Sequence, residues 1–152
     1  MTRKEAEKFA RSCLYNYDFN VSLIAQKILK IETLSSCKGV EYRLDDRGKA
    51  SVWYIEPFPE WLEHKEFLES ELLKLQLITD PITSLIADIS KGEHEVFKVW
   101  DIKFNRKLGW AAAVNEANKL GITENMFRTR FYKITYMAIR YLDLDIGNVP
   151  ES

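Results

Sequence analysis

Between Trp110 and Leu144 the apolar positions fall into two helical runs separated by a glycine. The first, Trp110 to Leu120, is rich in alanine and free of proline and glycine, so it reads as a helix, and Gly121 supplies the left-handed backbone that ends it. Thr123 stands where it can cap the next helix. Along that helix Phe127, Phe131, Ile134, Ala138 and Tyr141 recur at spacings of four and three and draw one buried stripe. Ala117, four residues before the glycine, is small enough for two crossing helices to approach closely, and Leu120 and Ile122 flank the turn as apolar anchors. This is the pattern of a helix-turn-helix, with its second helix over about 123–140.

Upstream, Thr2 and Glu5 have capping-box spacing, and Ala6, Phe9, Ala10, Cys13, Leu14 and Tyr17 follow at helical intervals, which predicts an opening helix of about four turns. A second helix is expected from about Asn20 to Leu34, antiparallel to the first, with Ile24, Ala25, Ile28, Leu29 and Ile31 as its buried face. From Ser35 the period changes to two: Val40, Tyr42 and Leu44 precede DDRG, and Val52, Tyr54 and Ile55 follow it. That alternation predicts a short β-hairpin at about 40–55, or an extended surface loop. Pro59 opens a long acidic helix to Ile78, in which Trp61, Leu68 and Leu75 sit seven apart beside Leu72 and Ile78. This seam packs on its own domain or joins two copies as a homodimer, although it is too short to argue a coiled coil.

Asp80 and Pro81 are read as the cap and first turn of a separate short helix with Ile82, Leu85, Ile86 and Ile89 inward, closed by Lys91 and Gly92. A supporting helix from about Glu93 to Asn105 should bury Val96, Phe97, Trp100 and Phe104. The expected fold is mainly α: a helical N-terminal half, a long central helix and a C-terminal helix-turn-helix. Two regions are expected, residues 1–90 for partner binding or dimerisation and residues 91–146 for DNA binding. The acidic tail after Leu144 should fray.

Charge sharpens this division. The 152 residues carry a net charge of only −1, but residues 91–140 hold ten Lys or Arg against five Asp or Glu, whereas residues 41–90 hold five against eleven. A basic module joined to an acidic one suits phosphate binding on one surface and protein contact on the other. Cys13 and Cys37 are the only cysteines and lack paired spacing, so neither a disulfide framework nor a zinc site is expected; Cys13 reads as a small buried hydrophobe. Asp45 and Asp46 read as turn residues, and His64, near Glu60 and Glu63, lacks the further ligands of a metal site. No Gly-rich phosphate loop or nucleophile elbow is present, so no catalytic residues, cofactor or metal is expected. The opening MTRKEAEKFARSC has acidic residues and no apolar core, and no run approaches a membrane span, which predicts a cytoplasmic protein.

The polar side of the second helix of the motif carries the candidate chemistry. Glu124, Asn125, Arg128 and Thr129 are residue types that pair with base edges, crowded at the end that enters a major groove. Lys107, Thr123, Tyr132 and Lys133 would hold backbone phosphates of double-stranded DNA. The competing interpretation is an αα-hairpin with a polar outer face, as in a helical adaptor, scaffold or polymerase-binding module without DNA contact. Lys4, Lys8, Arg11, Lys27 and Lys30 on the first two helices read as a solvated face, with contact to DNA backbone as the alternative.

The segments EHEVFKVWDIKF and GWAAAVNEANKLGITENMFRTRFYKITYMAIRYLDL resemble the ArpU/RinA-type regulators of bacteriophages and prophages, with a sigma-factor region-4-like helix-turn-helix. The likeness covers about a third of the chain, in the Trp start, the Ala-bearing helix, the Leu-Gly-Ile turn and the ending in which Ala138 and Leu142 stand four apart. Phe127 and Phe131 are bulkier than that family's usual small apolar residues. The resemblance implies transcription regulation of phage genes, and its sigma-like part implies contact with RNA polymerase through the preceding helices.

Overall fold

A computed structural model describes residues 1–36, 40–44, 50–54 and 59–144. The chain is mainly helical: α1 (Arg3–Tyr15), α2 (Tyr17–Ser36), strands β1 (Val40–Leu44) and β2 (Ala50–Tyr54), α3 (Pro59–Lys91), α4 (His94–Trp100) running into a π-helical turn (Asp101–Asn105), α5 (Trp110–Lys119) and α6 (Glu124–Tyr141). Internal packing divides it into two units, Met1–Val21 with Leu77–Ser152, and Ser22–Gln76. The division therefore falls within α2 and α3 and not at residue 90, because α1 belongs with the C-terminal helices.

In the first unit, the Thr2 hydroxyl accepts from the Glu5 N–H at 3.2 Å and the Glu5 carboxylate accepts from the Thr2 N–H at 3.0 Å, a reciprocal capping box that starts α1. A single residue, Asn16, separates α1 from α2. Antiparallel helices are usually joined by loops of two to five residues, longer than this connection. Helix α1 packs on α6, and Ala6, Ala10, Cys13 and Leu14 enter the core.

The expected break at Asp80 and Pro81 is also absent: α3 runs through Pro81 as one helix. Proline removes the N–H that would reach the Leu77 carbonyl, at a cost of roughly 3 kcal/mol. Beyond it Ile82, Leu85 and Ile89 are all buried, each worth roughly 1.5–3 kcal/mol, and their sum outweighs the lost bond. The helix then closes as expected at Lys91, with the Gly92 N–H donating to the Asp88 carbonyl at 3.1 Å.

The supporting helix changes winding after Trp100, and its π turn is closed by the Arg106 N–H to the Asp101 carbonyl at 2.8 Å. Val96 and Phe104 are buried as expected, while Phe97 and Trp100 are half-buried and Val99 and Ile102 lie fully inside. Both α1 and α5 pack on this segment, so it buries side chains on more than one side.

In the second unit β1 and β2 pair antiparallel, Val40 opposite Tyr54, Tyr42 opposite Val52 and Leu44 opposite Ala50. Asp45 and Asp46, the tail after Leu144, and the Trp61 side chain lie outside the described residues. On α3 the sevenfold seam holds in part, with Leu68 buried and Leu72 and Leu75 half-buried. On α2 the expected buried face is covered only in part. Ala25, Ile28 and Leu29 are exposed, Leu29 by 63%, while Leu23, Ile24, Ile31 and Leu34 are half-buried. Apolar residues occupy most sides of this helix, so its periodicity selects no single face. Among the described residues, no helix is long and apolar enough to cross a membrane.

Candidate nucleic-acid interface

The turn between α5 and α6 is closed by three backbone bonds. Leu120 and Ile122 N–H groups both reach the Ala117 carbonyl, at 2.9 and 3.0 Å, and the Gly121 N–H reaches that of Asn118 at 3.1 Å. Gly121 has φ +81°, the left-handed geometry for which glycine is suited. Thr123 caps α6, its hydroxyl accepting from the Met126 N–H at 3.3 Å. Ala117 and Ile122 are buried as the pattern requires, but Leu120, expected as the second apolar anchor, is 47% exposed. Its carbonyl-capping role fixes the backbone and leaves its side chain outside.

An aromatic stack sets the pitch of α6. The Trp110 ring meets Phe127 edge-on at 5.1 Å and Phe131 at 5.5 Å, and Phe131 stacks on Phe104 at 5.4 Å. Phe127, Phe131, Ile134 and Ala138 are buried as expected and Tyr141 half-buried. Thr135 and Ile139, which the single stripe omitted, are buried as well. They continue the row of Tyr132 and Tyr136 at i+3 and i+7, the side on which α1 lies. Arg3 of α1 donates to the Tyr136 hydroxyl, and the Arg11 guanidinium sits 5.0 Å from the Phe131 ring centre and 5.5 Å from that of Tyr132.

Opposite the buried stripe, all four candidate base readers, Glu124, Asn125, Arg128 and Thr129, are exposed on the first two turns of α6. Tyr132 is 40% exposed, Lys133 is half-buried, and Lys107 is exposed in the α4–α5 connection with a left-handed φ of +57°. Most of the candidates are engaged with neighbours. Arg128 donates to the Glu124 carboxylate at 3.3 Å and lies 5.9 Å from the Trp110 ring centre. The Thr129 hydroxyl donates to the Asn125 carbonyl at 2.9 Å. Lys133 donates to the Glu93 carboxylate at 2.8 Å, which pushes the Glu93 pKa below the usual carboxylate value.

The same compensation runs through the whole module. Each acid from residue 91 to 140 is ion-paired internally: Glu93 with Lys133, Glu95 with Arg130, Asp101 with Arg106, Glu116 with Lys119 and Arg106, and Glu124 with Arg128. Glu116 is held below its ordinary pKa by Lys119 first and Arg106 second. These pairs are exposed and contribute little stability, yet they occupy cations that phosphates would need. Sequence spacing could not reveal the Glu93 and Glu95 pairs, because their partners lie far along the chain on another helix. Among the described residues no three His, Cys, Asp or Glu side chains gather as metal ligands. Compared with known proteins, the chain matches no family model, no curated protein and no solved structure.

Proposed function

We propose that this chain is a sequence-specific DNA-binding transcription regulator, phage or prophage encoded and acting in the cytoplasm, that lays α6 in the major groove of a duplex. The observation that supports this reading best is the exposed outer surface of α6, where Glu124, Asn125, Arg128 and Thr129 face solvent directly after a glycine turn. Arg128 has the donors for guanine, Asn125 the amide for adenine, Glu124 the acceptor for cytosine, and Thr129 suits several edges. Lys107, Thr123, Tyr132 and Lys133 would set register through phosphates. Arg128 leaves Glu124 to do this, an exchange of one exposed ion pair for a base contact.

Selection of binding sites from randomised duplexes, followed by titration of the selected site, tests the reading. Arg128→Ala should weaken the selected site by roughly 1–3 kcal/mol and relax preference at one position. An equal loss on every sequence would reassign Arg128 to phosphate, and absence of duplex binding at low salt would refute the function.

A second reading, a helical protein-interaction module, draws on the second unit. There Leu29, Phe67 and Leu73 are each more than half exposed on two helices, and Leu68 is the one buried residue among those described. RNA polymerase is the partner suggested by the sigma-like resemblance. Charge reversals along Glu63 to Glu71 that leave reporter activation untouched would remove it.

A further inference from the structure

The positive charge of Arg128 and Lys133 on α6 is already compensated: Arg128 is paired with Glu124, and Lys133 with Glu93. A cation that exchanges a carboxylate for a phosphate leaves that carboxylate unpaired beside the DNA, so the exchange adds little net attraction. Besides Lys107, which is exposed and has no ion pair among the described residues, uncompensated charge comes from another element. On α1, Lys4, Lys8 and Arg11 stand at i, i+4 and i+7 and form one row. The α1 acids lie elsewhere, since the Glu5 carboxylate caps the Thr2 N–H and Glu7 pairs with Arg3. Lys4 and Lys8 are exposed and have no ion pair among the described residues.

Arg11 ties this row to the candidate interface. Its guanidinium lies over Phe131 and over Tyr132, the exposed aromatic of α6, and one turn further along the row the Tyr15 ring packs on Phe104 at 4.8 Å. Lys103 reaches the Tyr15 hydroxyl at 2.7 Å from the supporting segment. The row is therefore braced at its C-terminal end against the helices that position α6. Its N-terminal end approaches Tyr136, where Arg3 donates to the tyrosine hydroxyl. Along α1, Lys4 and Lys8 stand between these two braces and are exposed to solvent.

We propose that Lys4 and Lys8 of α1 bind the duplex backbone next to the groove that α6 enters, and that they supply the larger sequence-independent share of the affinity. This rests on reading α6 as a recognition helix. Arg11 acts as a positioning residue that holds α1 on the aromatic edge of α6. The ligand is the phosphate diester of double-stranded DNA, which two ammonium groups beside a groove-reading helix would meet first.

The test compares the full-length protein with the Lys4→Gln/Lys8→Gln double variant, using fluorescence anisotropy on a selected and a scrambled duplex between 50 and 200 mM salt. Loss of two phosphate contacts should reduce the slope of log affinity against log salt by about 1.8, and cost roughly fifty-fold at 0.1 M salt on both duplexes. Lys27→Gln/Lys30→Gln removes the same formal charge from α2 and should change the slope far less. Circular dichroism checks that both variants are folded, as expected for substitutions at side chains outside the core. If the wild type binds duplex and the α1 variant keeps its slope, or if the α2 variant loses as much, the role of α1 is wrong and the recognition helix stands. If the wild type binds no duplex at 50 mM salt, or is retained only by anionic vesicles, both fall together.

Discussion

Phe127 is fully buried, with the edge of Trp110 against it. Truncating it removes a large apolar side chain from a site that neighbouring rings cannot refill, so Phe127→Ala should lower the free energy of unfolding by about 3–5 kcal/mol, read from urea midpoints. Cys13 makes a complementary prediction about pH. Burial raises its thiol from 9.0 to about 11, so the folded chain holds the proton more tightly than the unfolded one. Its contribution is fully present below pH 9 and is lost as pH rises toward 11, by up to about 2–3 kcal/mol. Stability measured from pH 8 to 11 should therefore fall less steeply in Cys13→Ala than in the wild type, and identical slopes would refute the assignment. Cys13 and Phe127 could be read from spacing alone because each belongs to a clear apolar stripe. Leu120 could not: whether a side chain next to a turn points in or out depends on the cap geometry, which its neighbours in sequence do not specify.

The helix-turn-helix was legible element by element, since Gly121, Thr123 and the 127–138 stripe each obey local rules that agree with one another. Where local and tertiary signals conflict, the pattern misleads. Asp80 and Pro81 look like a helix start, yet α3 continues because the core beyond them rewards continuity. Replacing Pro81 with alanine restores the N–H for the Leu77 carbonyl and removes the ring clash. Against this stands about 0.4–1 kcal/mol of unfolded-chain entropy that proline suppresses. Pro81→Ala should consequently stabilise the protein by roughly 2 kcal/mol and raise its melting temperature. A lower melting temperature would mean that the helix needs the proline's local geometry. The outward row of α2 was hidden for a different reason. A helix apolar on most sides satisfies several faces at once, and only the packed structure selects among them.

Across the whole molecule the two units differ in what shields their backbone. The unit made of Met1–Val21 and Leu77–Ser152 has a core fed by α1, α3, α4, α5 and α6, whereas Leu68 is the single buried residue among those described in Ser22–Gln76. Hydrogen exchange on the isolated protein should show amides of residues 22–36 and 59–76 exchanging well before those of α1 and α6, because local opening there exposes little apolar surface. Uniform protection would contradict that expectation. Lys4, Lys8 and Arg11 read in sequence as part of a solvated face, and the link of α1 to α6 was not visible, since Arg3 and Tyr136 meet across 133 positions. That separation has a bearing on biosynthesis. At roughly 5–20 residues per second, a ribosome leaves α1 waiting for on the order of ten seconds before its partner helix has been made. During that interval Ala6, Ala10, Cys13 and Leu14 have no α6 to cover them, so closure of the core must await the last turns of translation.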